Sequence, residues 1–151
     1  LGTEQTKAIA TDIHNKHDFK IKMNPIEFYQ AKLQYETDSW DLSESIKNNE
    51  GIVVLDVRSS EAYEIEHIPS AINIPHRNMS AQTTKDLDKS KIYITYCDGI
   101  GCNASTKGAV NLAQLGFKVK ELLGGLDWWK RDGYATDGKH GVDGKKIVCG
   151  C

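Results

Sequence analysis

The sequence predicts an α/β fold: an open, parallel, twisted sheet of about four to five strands, flanked by helices on both faces. Three observations carry this. Ile52-Val53-Val54-Leu55-Asp56-Val57 is a nearly continuous apolar run, the pattern of a strand buried on both faces of a parallel sheet. Ile92-Tyr93-Ile94-Thr95-Tyr96 is β-branched and aromatic with alternation, and residues 117–123 alternate into another strand. Segments with helical spacing separate these runs, so strands and helices alternate roughly every 20 to 25 residues.

Taken in order, residues 1–24 form a polar extension in which Ala8, Ile9 and Ile13 make a narrow helical stripe. His14 and His17 share the i, i+3 spacing of a metal pair, but no third ligand stands near them, and solvated histidines are expected. Asn24-Pro25 opens a helix, with Asn as cap, Pro at the first helical position and Glu27 in the first turn. That helix ends at Thr37 or Asp38, and Asp41 or Ser43 caps a second, short one running through Ile46. Residues 48–51 read as a turn into the first apolar strand. Ser59-Ser60-Glu61 starts a helix that His67-Ile68-Pro69 breaks, and residues 71–75 form a short strand with Pro75 at its end. Residues 78–90 are a polar loop with one weak helical turn. The helix after the strand of residues 92–96 has Ala109, Leu112, Ala113 and Gly116 on one face, with Gly116 placed as its C-cap. Gly124-Gly125 leads into a last helix containing Trp128 and Trp129 and stopping at Gly133. Residues 137–151 are rich in Gly and Lys, end in Cys149-Gly150-Cys151 and read as a tail.

Composition narrows the function. At 151 residues, 39% hydrophobic and 26% charged, the chain has room for one domain with a real core plus an extension. A net charge of -2 argues against a nucleic-acid partner, and no apolar run approaches the length of a membrane span. No signal-peptide layout precedes the first elements, so a cytoplasmic location is the default expectation, although a chain beginning at Leu1 leaves its native start open.

Chemistry concentrates at residues 91–107, KIYITYCDGIGCNASTK. Cys97 falls at the C-terminal end of a strand and just before a helix. Ligands of open α/β sheets bind at that edge, and unpaired backbone N–H groups there favour anions. Such a position is expected to lower the thiol's pKa and make Cys97 a nucleophile. Asp98, Gly99, Ile100, Gly101, Cys102 and Asn103 form the loop, whose successive amides are expected to build an anion nest, with two glycines supplying unusual dihedrals. Phosphatase chemistry needs an arginine six positions after the cysteine, and Asn103 stands there.

Three segments together resemble a single-domain rhodanese: LDVRSSEAYEIEHIPSAINIP (residues 55–75), the strand–Cys97–loop–helix unit, and LLGGLDWW (residues 122–129). The resemblance covers roughly residues 25–136, and the YCDGIGCN loop is similar to that of a bacterial branch of the family. It implies a sulfurtransferase in which Cys97 takes a sulfane sulfur as a persulfide and passes it to a thiol-type acceptor. The implied partners are a small sulfur donor and a thiol or protein acceptor. No cofactor or metal is implied, and the Cys149-Gly150-Cys151 spacing is uncommon at zinc sites. Asp56 and Arg58 match the family's Asp-x-Arg, with Arg58 expected to pair with Asp56 or a loop carboxylate.

The loop departs from relatives that use thiosulfate. It carries Asp98 where they place a cation, and Ala62 falls where they place a second arginine, so thiosulfate is a doubtful donor. His76 and Arg77 are candidates to restore charge on the same face. Cys102, and from the tail Cys149 and Cys151, are candidate resolving or relay thiols. Two alternatives stay open: a thiol–disulfide redox protein using Cys97 and Cys102, and a non-catalytic module on the same fold.

Overall fold

The computed structural model describes residues 23–147. The expected N-terminal stripe, His14, His17, Cys149 and Cys151 lie outside the described residues. Helix α1 (Pro25–Tyr35) begins with a complete capping box: the Asn24 side chain accepts from the Glu27 amide, and the Glu27 carboxylate accepts from the Asn24 amide. It stops at Tyr35 because the next two residues form a strand, β1 (Glu36–Thr37). Helix α2 (Ser39–Lys47) is capped by Asp38, whose side chain accepts from the Asp41 amide. Both the strand and the earlier cap correct the expected boundaries.

Strands β2 (Ile52–Asp56), β3 (Ile72–Asn73), β4 (Ile92–Tyr96) and β5 (Lys118–Leu122) complete a parallel sheet of five, in the order β1-β5-β4-β2-β3. The chain leaves β2 toward one edge and β4 toward the other. The crevice outside the C-terminal ends of β2 and β4 is therefore the switch point where such sheets receive ligands.

Each face of the sheet has its own core. On one, α2, α3 (Ser60–Ile65) and α5 (Gly125–Arg131) cover Val54, Ile94 and Tyr96 with Leu42, Tyr63, Leu126 and Trp129. On the other, α4 (Ala104–Gln114) and the segment after β3 cover Leu55, Val57, Tyr93 and Cys97 with Leu112, Met79 and Leu87. The buried face of α4 is Ser105, Gly108 and Leu112; of the expected stripe through Ala109, Leu112, Ala113 and Gly116, Leu112 lies on it and the others do not. Gly108 explains the rotation: a Cβ there would stand 2.9 Å from Val57 Cγ1, so the helix packs closest at its glycine. Ala109 and Ala113 turn instead toward α1, lining an apolar groove with Phe28 and Tyr35. Gly116 keeps the expected role, ending α4 at a φ of 83°.

The stretch from Asp137 to Lys145, which the sequence reads as tail, is fastened to the domain. His67 and Asp137 exchange both backbone hydrogen bonds at 2.9 Å, and the amides of Lys139 and His140 donate to the carbonyls of Glu64 and Ile65 at the end of α3. Lys145 N donates to Gly133 O at 2.7 Å, and Ile147 packs against the core beneath α2 and α5. Beneath this strap, Glu66 accepts from Lys130 Nζ and from Thr136 Oγ1 (2.8 Å).

Candidate functional site

Strand β4 carries Cys97 to the switch point, and the loop of residues 98–103 turns it into α4. The last helix holds the loop from behind. Leu126 N donates to Cys97 O (2.9 Å) and Asp127 N donates to Asp98 O (2.8 Å). This requires Gly125. Its φ is 58°, and a Cβ there would lie 2.3 Å from Cys97 O.

The thiol of Cys97 is only 1% exposed. Its Sγ lies 3.0 Å from Cys102 O and 3.3 Å from Ser105 Oγ. Burial pushes its pKa up and the Cys102 thiol adds to the rise, while the Ser105 hydroxyl and amide pull it down. The net direction is upward, opposite to the lowering expected for a thiol at this edge of the sheet. One amide of the loop is engaged within the loop itself. Cys102 N donates to Gly99 O (3.0 Å), and a loop carbonyl faces the sulfur where amides were expected. Neither Gly99 nor Gly101 has a positive φ. What Gly99 provides is clearance, since a Cβ there would sit 3.2 Å from Asp127 Cβ.

Arg58 and its partners form a scaffold under the loop. Fully buried Asp56 accepts from Arg58 N, Nε and a terminal guanidinium nitrogen, and from Tyr96 Oη at 2.6 Å. The rest of the guanidinium bonds Asp98 (2.9 Å) and Glu66 O (2.6 Å). Burial opposes the charge on Arg58, but the bonds and charges of Asp56 and Asp98 outweigh it and hold the guanidinium protonated. Asp98 therefore points outward, 72% exposed on its side chain, and is neutralised by a cation already fully engaged. Ile100 and Gly101 are exposed, and Asn103 stands at the N-cap position of α4 without a side-chain cap bond.

His76 and Arg77 lie in a single 3-10 turn (His76–Asn78). His76 Nδ1 is 3.4 Å from Val57 O and its carbonyl accepts from Asn111, so it braces α4 against β2. Neither residue lines the clefts on the two sides of the cysteine loop. The cation that does line one is Arg131. It sits across from Gly101 and Cys102 beside half-exposed Trp128 and donates to Asp127 at 2.9 Å. Trp129 is buried in the core.

Two residues that the sequence did not single out meet the thiol's side of the loop. Ser105, 4% exposed, donates to Glu121 Oε1 at 2.6 Å, and Thr106 donates to the same oxygen at 2.8 Å. The i, i+3, i+7 spacing of Ser105, Gly108 and Leu112 was the available signal for Ser105. Glu121 reads from sequence as one polar residue in an alternating strand. Among the described residues, no group of three or more His, Cys, Asp or Glu could hold a metal ion, and no helix is long and apolar enough to cross a membrane.

Comparison with known proteins agrees with this architecture. The profile of the Rhodanese-like domain matches residues 39–132. Thiosulfate sulfurtransferase GlpE of Coxiella burnetii is 36% identical over 62% of this chain and 81% of its own length. A probable molybdopterin-synthase adenylyltransferase of Porphyra purpurea is 35% identical over 58% of this chain, which spans 22% of that protein. Among solved structures, BH2092 of Bacillus halodurans superposes with a TM-score of 0.74 at 51% identity, covering 78% of this chain and 89% of that one. A rhodanese-related protein of Thermoplasma volcanium gives 0.60 at 30% identity, covering 68% and 97%. The chain belongs to the rhodanese-like family.

Proposed function

We propose that this protein is a sulfurtransferase that carries sulfane sulfur as a persulfide on Cys97 and delivers it to a thiol-type acceptor. One observation carries the reading: a buried cysteine at the C-terminal end of a central strand, at the switch point of the sheet, with the Ser105 hydroxyl against its sulfur. In the transfer, the Cys97 thiolate attacks the outer sulfur of the donor. A new S–S bond forms, the donor's bond to that sulfur breaks, and the leaving group departs with the electron pair. Attack by an acceptor thiolate on the terminal sulfur reverses the sequence.

The loop's charges favour a donor of low charge, such as an organic persulfide or a polysulfide, over the thiosulfate dianion. Arg58 is engaged with Asp56 and Asp98, and Arg131 is paired to Asp127. The test is intact mass after incubation with each donor, wild type beside Cys97→Ser. The wild type is expected to gain about 32 Da, one sulfur atom, and the variant nothing. An equal gain by both proteins overturns the proposal.

A second reading has its own support. Cys102 belongs to the same loop, its carbonyl 3.0 Å from the Cys97 sulfur and its thiol close enough to affect the Cys97 titration. A Cys97–Cys102 disulfide cycle would appear in the same spectra as a loss of two hydrogens under mild peroxide with no sulfur retained.

A further inference from the structure

A resting thiol is a poor nucleophile, so something must take its proton. The S–H of Cys97 has three acceptors in reach, Cys102 O at 3.0 Å, Ser105 Oγ at 3.3 Å and Gly99 O at 3.8 Å. A peptide carbonyl is no proton sink. The Ser105 hydroxyl, however, is itself committed as a donor to Glu121 Oε1 at 2.6 Å, which leaves its lone pairs for the thiol. The three groups thus form a directed chain from sulfur to hydroxyl to carboxylate.

Ser105 is fixed for this use. It is buried in α4, and its carbonyl accepts from Thr95 Oγ1 of β4 at 3.1 Å. Glu121 lies on β5 and is partly open to the cleft of about 230 Å³ on that side of the loop. Around it stand the Thr106 hydroxyl from α4 and Glu36 from β1, its register partner, which is paired with Lys32 of α1. Among the described residues no ion pair neutralises Glu121. Around the thiol, the charge of Asp98 is turned away to Arg58, and Cys102 is the other titratable neighbour.

We propose that Ser105 and Glu121 activate Cys97 by proton relay, Ser105 touching the sulfur as a catalytic residue and Glu121 acting through it as the base. The Cys97 proton passes to Ser105 Oγ as the Ser105 proton passes to Glu121 Oε1. The products are a Cys97 thiolate, an intact serine hydroxyl and a neutral Glu121 carboxyl, so total charge is unchanged. Freed from the carboxylate, the hydroxyl and the Ser105 amide then stabilise the thiolate and, on the persulfide reading above, the carried sulfur.

The test is the pH–rate profile of Cys97 alkylation by iodoacetamide in the whole chain, with persulfide loading followed separately by mass. Alkylation needs no sulfur donor, so failure of the relay and failure of the persulfide reading are distinguishable. Wild type is expected to show a flat arm from about pH 5.5 to 8, below the thiol's own titration, because the relay supplies thiolate independently of hydroxide. Glu121→Gln removes the base and keeps the shape. Its rate is expected to climb about tenfold per pH unit across that window and to meet wild type above the thiol's titration. Ser105→Ala should behave like Glu121→Gln. Should it fail to fold, the half-buried Glu121→Gln still decides the matter. If Glu121 acts only as a nearby negative charge, removing it instead speeds alkylation at neutral pH. That result, or coincident profiles, overturns the proposal.

Discussion

Cys97 illustrates how a residue's chemistry depends on what the fold turns toward it. From the sequence, a cysteine between a strand and a helix should meet amides; in the structure it meets a carbonyl, a hydroxyl and almost no water. Desolvation disfavours the charged form of a thiol, and here it wins over the Ser105 donors. The midpoint of the iodoacetamide profile should therefore lie above the free-thiol value of about 8.5. A midpoint near neutrality would contradict the buried geometry. The place of Cys97 between a central strand and a helix was legible because strand pattern, glycines and helix spacing are local signals. Its electrostatics were not, because Cys102 O and Glu121 arrive by a loop closure and a neighbouring strand. Arg58 is the opposite case. Its pairing with Asp56 or a loop carboxylate was expected from the resemblance carried by the Asp-x-Arg, and the structure shows both, with Asp56 and with Asp98.

Among the elements, those with strong caps were the best marked. Asn24, Ser59 and Gly116 each mark a helix boundary through a local bond or dihedral. β1 was missed because a two-residue strand has no period of its own; pairing with β5 alone creates it. The face of α4 was misjudged for a related reason. Glycine's missing side chain, which sets the closest approach to Val57, carries no hydrophobic signal. Helix α1 buries no residue, and Ile26 and Leu33 are 70% and 81% exposed, so its end cap matters more than its packing. Asn24→Ala should cost about 1 kcal/mol within that helix. Because α1 buries no residue, the loss should appear as faster amide exchange over residues 25–35, with the melting of the whole domain nearly unchanged. A large fall in melting temperature would show that α1 is integral to the core.

At the scale of the molecule, the parallel α/β class and four of its strands follow from patterns visible in the chain, but the strand order, which places β1 at one edge, and the last described stretch do not. Residues 137–145 are polar and glycine-rich, which suggests a solvated tail; yet Gly138 and Gly141 let backbone approach backbone, and hydrogen bonds replace apolar contact. Glu66 ties this strap to the body through Thr136 and Lys130. Burial works against its charge, but those two donors prevail and hold its carboxyl below the ordinary carboxylate value. A lowered folded-state pKa stabilises above the unfolded value of about 4.3 and ceases to do so as pH falls through the folded one. The gap in melting temperature between wild type and Glu66→Gln should thus be widest near pH 7 and shrink below about pH 4. A gap independent of pH would assign the effect of the substitution to packing alone.

The grip of α5 on the loop also sets an order of events in the life of the chain. Cys97 and Cys102 leave the ribosome before Gly125, Leu126 and Asp127, whose amides and tight approach fix the loop from behind. Domains with long-range parallel pairing assemble late, and a growing chain exposes its unpaired groups in the meantime. Until the final helix arrives, the loop that carries the two thiols lacks the bonds from Leu126 and Asp127. Docking of residues 125–127 is therefore the step that gives the loop its two backbone tethers at Cys97 and Asp98.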